Sequence, residues 1–561
     1  MKTAIDGVTI EVMRNALQSI AEEMGVTLIR TALSPNIKDR MDCSSAIYTK
    51  EGKLISQAEH IPLHLGLMPS VVEKVLKTYP PEKLKEGDAI LINDPYISGS
   101  HLPDIFLISP VFVDGKIVAI AGNIAHHVDV GGMTPGSAST TATEIFQEGL
   151  RIPSVKIRNE GVINDDILRL FQANVRSQET YGDLYAQIAA NNIAETRLKE
   201  LFARYQADFL EDCMNEIMDY SERRMKAAIK RVPNGEYSFE DYLEGDGLSD
   251  ELFKIMVKVS IKDEEVYLDF TGTDQQARGS INSTIGVTKA CAYYTIKALF
   301  DADIPSNAGT FRPIHVIAPE GTLVNPKFPA PVSNGNANTS QRIVDTIFGA
   351  LAQALPEKSM AACTGSMNGL TIGGFDYESN QYFSYVETTG GGQGGLLGMD
   401  GADGAHTNMT NTRNTPIEVI EQSYPIFIKR YGLAEDSGGS GKYRGGMGII
   451  REIVIECEEA TLSLRTERKR LSPWGLFGGK NGKPSKCLLT NGETGETIEL
   501  PPKATIKVKK GDTLLLQTAG GGGYMDPLER SNQFIANDIL SGATSIEKAR
   551  KDYHFLYVKQ S

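Results

Sequence analysis

Apolar side chains recur with a helical period over residues 7–33, at Val12, Ala16, Ile20, Met24 and Leu28, until Ser34-Pro35 ends the pattern. A first helix is predicted there. β-favouring runs then take over: 43–48 and 53–56 flank the turn signal Glu51-Gly52, while 105–113 and 116–124 flank Asp114-Gly115. From Asn164, a natural N-cap, to Arg231 the helical period returns, with Leu198, Leu201, Phe202, Tyr205 and Phe209 on one face. Arg223, Arg224 and Lys226 lie on its solvated side. This stretch predicts an αα insertion or a dimer-forming arm. Strand alternation resumes after Glu236, in 255–261 and 266–270, and gives way to helical patterns at 288–302 and 340–354. Beyond about residue 425 glycine and β-branched residues dominate, punctuated by Asp436-Ser-Gly-Gly-Ser-Gly441 and Gly520-Gly-Gly-Gly523. The expected fold class is α+β, a mixed α/β multidomain chain with a helical insertion and a β-rich C-terminal domain. Its expected regions are 1–160, mixed α/β; 161–235, the insertion or arm; 236–424, mixed α/β with a Gly-rich loop; 425–530, β-rich; and 531–561, a helical tail.

Chemistry concentrates between Asn93 and Gly132, where Asn-Asp-Pro-Tyr-Ile-Ser-Gly-Ser-His-Leu-Pro-Asp is followed, after the hairpin, by His-His-Val-Asp-Val-Gly-Gly. Three of the eight histidines fall there, in loops rather than on a polar helix face. Imidazoles and carboxylates at this density are the donor set of a divalent transition metal, so 1–160 is read as the metal-site region. Pro103 keeps His101 and Asp104 on a turn. If Val113 pairs with Lys116, the regular register sets Ala125, His126 and His127 beside Asp104, Pro103 and Leu102. Strict alternation then gives His127 the face of Asp104 and turns His126 away; a bulge, or the turn at Pro103, reverses the choice. Asp42 sits at the mouth of the first hairpin. His60 and His64 form a second pair, but Pro62 between them removes the helical geometry that a zincin motif needs.

Two later segments suit ligand binding. Ser333-Asn-Gly-Asn-Ala-Asn-Thr-Ser-Gln-Arg342 precedes a helix whose free N–H groups favour a carboxylate or phosphate oxygen, with Arg342 available to anchor an anion; turn formation and capping are the plainer use of the same residues. Glu387-Thr-Thr-Gly-Gly-Gly-Gln-Gly-Gly395, followed by Asp400-Gly-Ala-Asp-Gly-Ala-His406, is a Gly-rich loop through which Gly391 and Gly392 would let backbone approach a ligand, or which would serve as a lid. Neither a P-loop nor the Rossmann spacing occurs. Cys43 has no neighbouring base and reads as a small buried residue.

Composition narrows the partners. At 561 residues the chain exceeds a single ordinary core, and about two to four domains are expected. A net charge of −14 argues against a nucleic-acid groove or an anionic membrane as the main partner. Six scattered cysteines without a Cys-x-x-Cys pair fit a reducing compartment. With no secretory pattern near the start and no apolar run of membrane-spanning length, a cytoplasmic location is expected.

Several ordered motifs carry a family resemblance: Arg40-Met-Asp42-Cys-Ser44, Gln57-Ala-Glu-His-Ile-Pro-Leu-His-Leu-Gly66, Asn93-Asp-Pro95, Gly99-Ser-His-Leu-Pro-Asp104, His126-His127-Val-Asp129 with Gly131-Gly132, Glu144-Ile-Phe-Gln-Glu-Gly-Leu-Arg-Ile-Pro153, the Gly335–Arg342 segment and Thr410-Asn-Thr-Arg-Asn-Thr-Pro-Ile417. Over nearly its whole length the chain resembles the hydantoinase B/oxoprolinase family, the β-type subunits of ATP-dependent N-methylhydantoinase, 5-oxoprolinase and caprolactamase, related to the metal-bearing subunit of acetone carboxylase. The resemblance implies a hydrolase of cyclic amides (hydantoin, oxoproline or lactam) that works in a hetero-oligomer with a hydantoinase A-type partner, which binds the ATP. It also implies a divalent metal, Zn, Mn or Fe, on Asp42, His101, Asp104 and His126, with His127 the near alternative to His126. Asp129 or His127 would then orient a ligand or act as a general base, and Arg342 with Gly391 and Gly392 would hold substrate. A subunit of an ATP-dependent ketone carboxylase, and a non-catalytic assembly subunit, are the two alternatives.

Overall fold

The computed structural model describes residues 5–58 and 60–556; the end of the expected tail, 557–561, lies outside them. Asp6 caps the first helix, Gly7–Thr31, its carboxylate accepting from the amides of Val8 and Thr9. One face of that helix, carrying Leu17, Ile20, Met24 and Leu28, is buried. Seven strands follow: β1 Cys43–Thr49, β2 Leu54–Gln57, β3 Ala89–Ile92, β4 Asp104–Val113, β5 Lys116–His126, β6 Val155–Asn159 and β7 Val162–Ile163. They form one antiparallel sheet in the order β2-β1-β5-β4-β3-β6-β7. Asp114 and Gly115 both have positive φ, 49° and 75°, the tight turn expected between β4 and β5.

The sheet is covered on both faces. Tyr48, Phe106, Ile108, Ile120 and Ile124 point towards the helix Pro62–Thr78 and share a core with the second sheet. The alternate residues point the other way: Ile105 and Leu107 into one core, Ala119, Ala121 and Ala125 into another. The helices Glu179–Arg204 and Ala207–Ile229 line that second side. Gln187 and Asn191 donate from the first of them to the carbonyls of Ile105 and Leu107. The stretch expected to be an insertion or arm is therefore a layer of the fold. Buried Ala186, Ala190 and Ala194 present little side-chain volume, which lets the helix lie close to the strands.

Three further sheets complete the chain. One runs Ile314–Ile317, Glu265–Asp269, Leu252–Lys262, Gly235–Glu244, with the helices Ile285–Phe300 and Ser340–Leu351 in the same core. Another pairs Gln381–Thr388 and Gly369–Asp376 with Glu459–Arg465 and Lys503–Lys509, so hydrogen bonding crosses the boundary expected at 424. It shares a core, including Leu370, Leu462 and Leu514, with a five-stranded sheet that contains Ile426–Leu433, Ile449–Ile455 and Thr513–Gln517. Asp436 accepts from Ser545 and Asp552 from Lys480, which fastens the two tail helices Asn532–Leu540 and Ile546–Tyr553 to the β-rich region. Mixed helices and several sheets make this an α+β fold.

Candidate functional site

A single bulge builds the site. β4 and β5 start from the Val113–Lys116 pair, but the register slips by one between Val111 and Phe112, so that Asp104 stands opposite His126. Directly paired residues share a face, and His126 rather than His127 therefore joins Asp104. On the other side of β5, Cys43 pairs with Ala125 and the His126 amide donates to the Asp42 carbonyl at 3.0 Å. Asp42, His126 and Asp104 thus form a row across the ends of three adjacent strands, on the face that meets the helix Pro62–Thr78.

Two more imidazoles close over the row. His101, on the turn before β4, brings Nε2 to 3.4 Å from Asp104 Oδ1, and its ring centroid lies 5.1 Å from that of His126. His64 comes from the first turn of the facing helix, with Nε2 3.7 Å from Asp104 Oδ1 and 3.9 Å from Asp42 Oδ1. Pro62 does not prevent this helix. It occupies the opening position, where its missing N–H costs nothing, and leaves His60 outside the helix. A proline two residues before His64, read as a helix start rather than a breaker, is the signal that would have found this residue.

The surrounding groups fix the cluster. Ser100 Oγ donates to Asp104 Oδ2, the Asn36 amide lies 3.3 Å from His126 Nδ1, and Ser44 Oγ lies 3.4 Å from His64 Nδ1. Burial alone would raise the Asp104 carboxyl, but the facing imidazoles of His101 and His64 outweigh it and hold the group well below the usual carboxylate range. Burial keeps His126 neutral, far below an ordinary histidine. For His64 burial is outweighed by Asp104 and Asp42, which raise its basicity, whereas for Asp42 burial dominates Arg40 and His64 and pushes the carboxyl up. Among the described residues, both ring nitrogens of His101 and Oδ1 of Asp104 are buried without a hydrogen-bond partner. Potential ligand atoms of His101, Asp104 and His126 converge within 4.8 Å of one another, a set that a divalent cation would complete.

The other predicted residues have different surroundings. His127 lies on the opposite face of the sheet, its Nε2 2.9 Å from Gln187 Oε1 and its ring edge-on to Phe171. Asp129 accepts from the amides of Gly131, Gly136 and Arg176 and from Arg176 Nη1, so both oxygens are committed to holding the 129–137 loop. That leaves neither group facing the cluster as a base. Arg342 is buried against Asp241 at 3.1 Å and Glu467 at 3.6 Å, its charge already answered.

The segment before it does favour an anion, and the chain supplies its own: the Glu148 carboxylate accepts from the amides of Val332 and Ser333 at 2.9–3.1 Å. The helix continues back from Ser340 through a π-turn, Gly335–Thr339, which aims Asn336 at Ser100 (3.2 Å). Gly391 and Gly392 belong to a packed layer rather than a lid. A Cβ at Gly392 would fall 2.1 Å from Gly446 O and Gly521 N, and the Gly392 amide donates to the Ala519 carbonyl. The glycines of 390–395, 437–446 and 520–523 interlock backbone to backbone.

Comparison with known proteins agrees with this architecture. Residues 6–527 match the family model described as hydantoinase B/oxoprolinase. The chain is 34% identical to the B-type chain of a putative D-/L-hydantoinase from Pseudomonas sp. strain NS671, over 98% of its own length and 95% of that protein's. It is 33% identical to the β chain of caprolactamase from Pseudomonas jessenii, over 98% of its length and 96% of the relative's. The crystal structure of the ATP-dependent caprolactamase from that organism superposes with a TM-score of 0.92 over 100% of this chain and 98% of its own, at 31% identity. An acetone carboxylase structure shares the fold, with a TM-score of 0.89 over 98% of this chain and 80% of its own, at 19% identity.

Proposed function

This chain belongs to the hydantoinase B/oxoprolinase family, and we propose that it is the metal-bearing subunit of an ATP-dependent cyclic amide hydrolase, working with an ATP-binding hydantoinase A-type subunit. The observation that carries the reading is the convergence of His101, Asp104 and His126, with both ring nitrogens of His101 and Oδ1 of Asp104 buried and without a hydrogen-bond partner among the described residues. Near-full-length relatives named as hydantoinase and caprolactamase subunits favour amide hydrolysis; the likeness to acetone carboxylase bears on the fold alone.

Amide resonance makes a lactam or hydantoin carbon a poor electrophile. Transfer of the ATP γ-phosphoryl group to the carbonyl oxygen, on the partner, turns that oxygen into part of a leaving group. Addition of water to the activated carbon, cleavage of the ring C–N bond and release of phosphate by a second water then give the amine and the carboxylate. Asp42, His64, His101, Asp104 and His126 are the residues that would hold a divalent ion of the Zn, Mn or Fe type. Such an ion, when bound, polarises a carbonyl oxygen or lowers the pKa of a water. Ser100 and Asn36 hold the Asp104 and His126 side chains in place, which keeps the row pre-formed. Burial excludes bulk water and keeps His126 an unprotonated donor near neutral pH.

The test is to co-purify the chain with its partner, measure metal by mass spectrometry, and screen hydantoins, oxoproline, lactams and ketones for substrate-stimulated ATP hydrolysis. One metal per chain, lost in His101→Ala, with ring-opened product only when both subunits are present, supports the reading. A metal-free complex that opens a lactam at full rate, or a product carboxylated on carbon in the presence of bicarbonate, overturns it.

A further inference from the structure

Arg465 ends the strand Glu459–Arg465 and is 5% exposed. Among the described residues it has no carboxylate within ion-pair distance and no side-chain hydrogen bond, and its Nε is buried without a partner. Arg451, Arg468 and Arg342 also leave Nε without a partner, but each meets a carboxylate: Arg451 meets Glu387 at 2.5 Å, Arg468 meets Asp241 and Asp345 at 2.8 Å, and Arg342 meets Asp241 at 3.1 Å. An unanswered buried charge is expensive, so this cation has a use that the chain itself does not supply.

Its position says which use. Arg465 stands opposite Gly369 in the strand pair, and a Cβ there would come 3.0 Å from its Nε, so the glycine makes room for the guanidinium. Burial and, after it, Arg40 lower its basicity to about 10, with Glu148 opposing the fall. Both arginines also depress His126, and Glu148 in turn feels His101. Arg465, Gly369 and Thr388 stand in one cross-strand row, and Arg40, itself buried, donates to Thr388 Oγ1 as well as to Asn36 Oδ1 and Val386 O and lies 3.8 Å from Asp42, so the row ends beside the histidine cluster.

The charges decide the ligand. Asp42 and Asp104 would balance one divalent ion; of the other carboxyls that feel these guanidinium groups, Glu387 is engaged by Arg451, Asn414 and Thr415, and the oxygens of Glu148 by the amides of Val332 and Ser333. A multiply charged tetrahedral oxyanion matches the forked donors and the excess positive charge better than a carboxylate does.

We propose that Arg465, supported by Arg40, binds the phosphoryl group of the O-phosphorylated ring that reaches this subunit, and the orthophosphate released from it. The inference rests on the hydrolase reading. It extends that reading by assigning the site that receives the activating group beside the cluster and by giving Arg465 a binding role.

The test uses the full-length chain alone, with no ATP, and inorganic phosphate as probe. Isothermal titration and thermal melting are compared for the unaltered chain, Arg465→Met and Arg465→Lys, with metal content measured on each sample. Phosphate should bind at least tenfold more tightly than acetate, Arg465→Met should weaken it at least tenfold, and Arg465→Lys should fall between. In phosphate-free buffer Arg465→Met should melt at or above the unaltered chain, because it removes an unpaired buried charge. Unchanged phosphate affinity in Arg465→Met, a lower melting temperature with the phosphate shift intact, or acetate binding as tightly as phosphate would overturn the proposal. The two readings fail separately: metal retained with no Arg465-dependent phosphate binding sinks only this one, whereas Arg465-dependent binding in a chain that holds no metal sinks only the metal centre.

Discussion

The buried polar cluster around Asp241 and the one at the end of the seven-stranded sheet differ in how they use their charges. Around Asp241, carboxylate and guanidinium groups interlock: Asp241 receives Arg342, Arg468 and the Trp474 indole, Asp345 receives Arg468, and Glu467 receives Lys503. Glu244 accepts from the amides of Lys469, Arg470 and Leu471. In the cluster at the end of the seven-stranded sheet, neither ring nitrogen of His101 nor Oδ1 of Asp104 has a hydrogen-bond partner among the described residues. The first arrangement spends its charges on joining the Gly235–Glu244 strand to the β-rich region; the second holds its valence back. Burial with opposite charges matched marks structure, and burial with convergent unused donors marks a site.

The sharpest way to break the comparison is to remove one member of the satisfied network. Asp241→Ala leaves Arg342 and Arg468 without their shared carboxylate and should cost about 3–5 kcal/mol in urea unfolding, with little change in metal bound per folded chain. A loss below about 1 kcal/mol would mean that the network does not hold the two regions together.

Glu148 borders the open cluster and sharpens the contrast through pH. Burial pushes its carboxyl to about 7 from an ordinary 4.5, against the amides of Ser333 and Val332 that pull it down. The folded chain then binds more protons than the unfolded one between those values, so stability is lost as pH rises from 4.5 through 7. Glu148→Gln should remove about 3 kcal/mol of that pH dependence, measured as the difference in unfolding free energy between pH 4.5 and 8. Parallel profiles for the two proteins would refute the assignment.

Smaller effects probe the supports. Ser100→Ala deletes the donor to Asp104 Oδ2 and should weaken metal binding about 10–100-fold in a competition titration with a chromophoric chelator. His127→Asn, on the opposite face, should leave metal affinity within about twofold and cost about 1 kcal/mol through its bond to Gln187. A His127 variant that lost metal while His126→Ala kept it would reverse the register assigned to β4 and β5.

Much of this was legible along the chain. The Asp114-Gly115 turn, the capped helix after Asn164, the density of imidazole and carboxylate between Asn93 and Gly132, and the family motifs all depend on neighbours in sequence. The choice between His126 and His127 did not. It turned on one bulge at Val111/Phe112, and a single inserted residue reverses every later face of a strand. His64 escapes a linear reading because a proline that breaks a helix interior also begins one, and only the chain path tells which.

The sequence alone therefore determined most elements, their turns and the family, though not the helix Pro62–Thr78, since the former rest on local periodicity, φ preferences and ordered motifs. Tertiary structure decided which charges were already answered. Arg342 and Arg465 are the same residue type and both are buried, yet Asp241 and Glu467 arrive to meet one, and among the described residues no carboxylate arrives to meet the other. Charge compensation is a property of distance in space, and residues more than a hundred positions apart supply it.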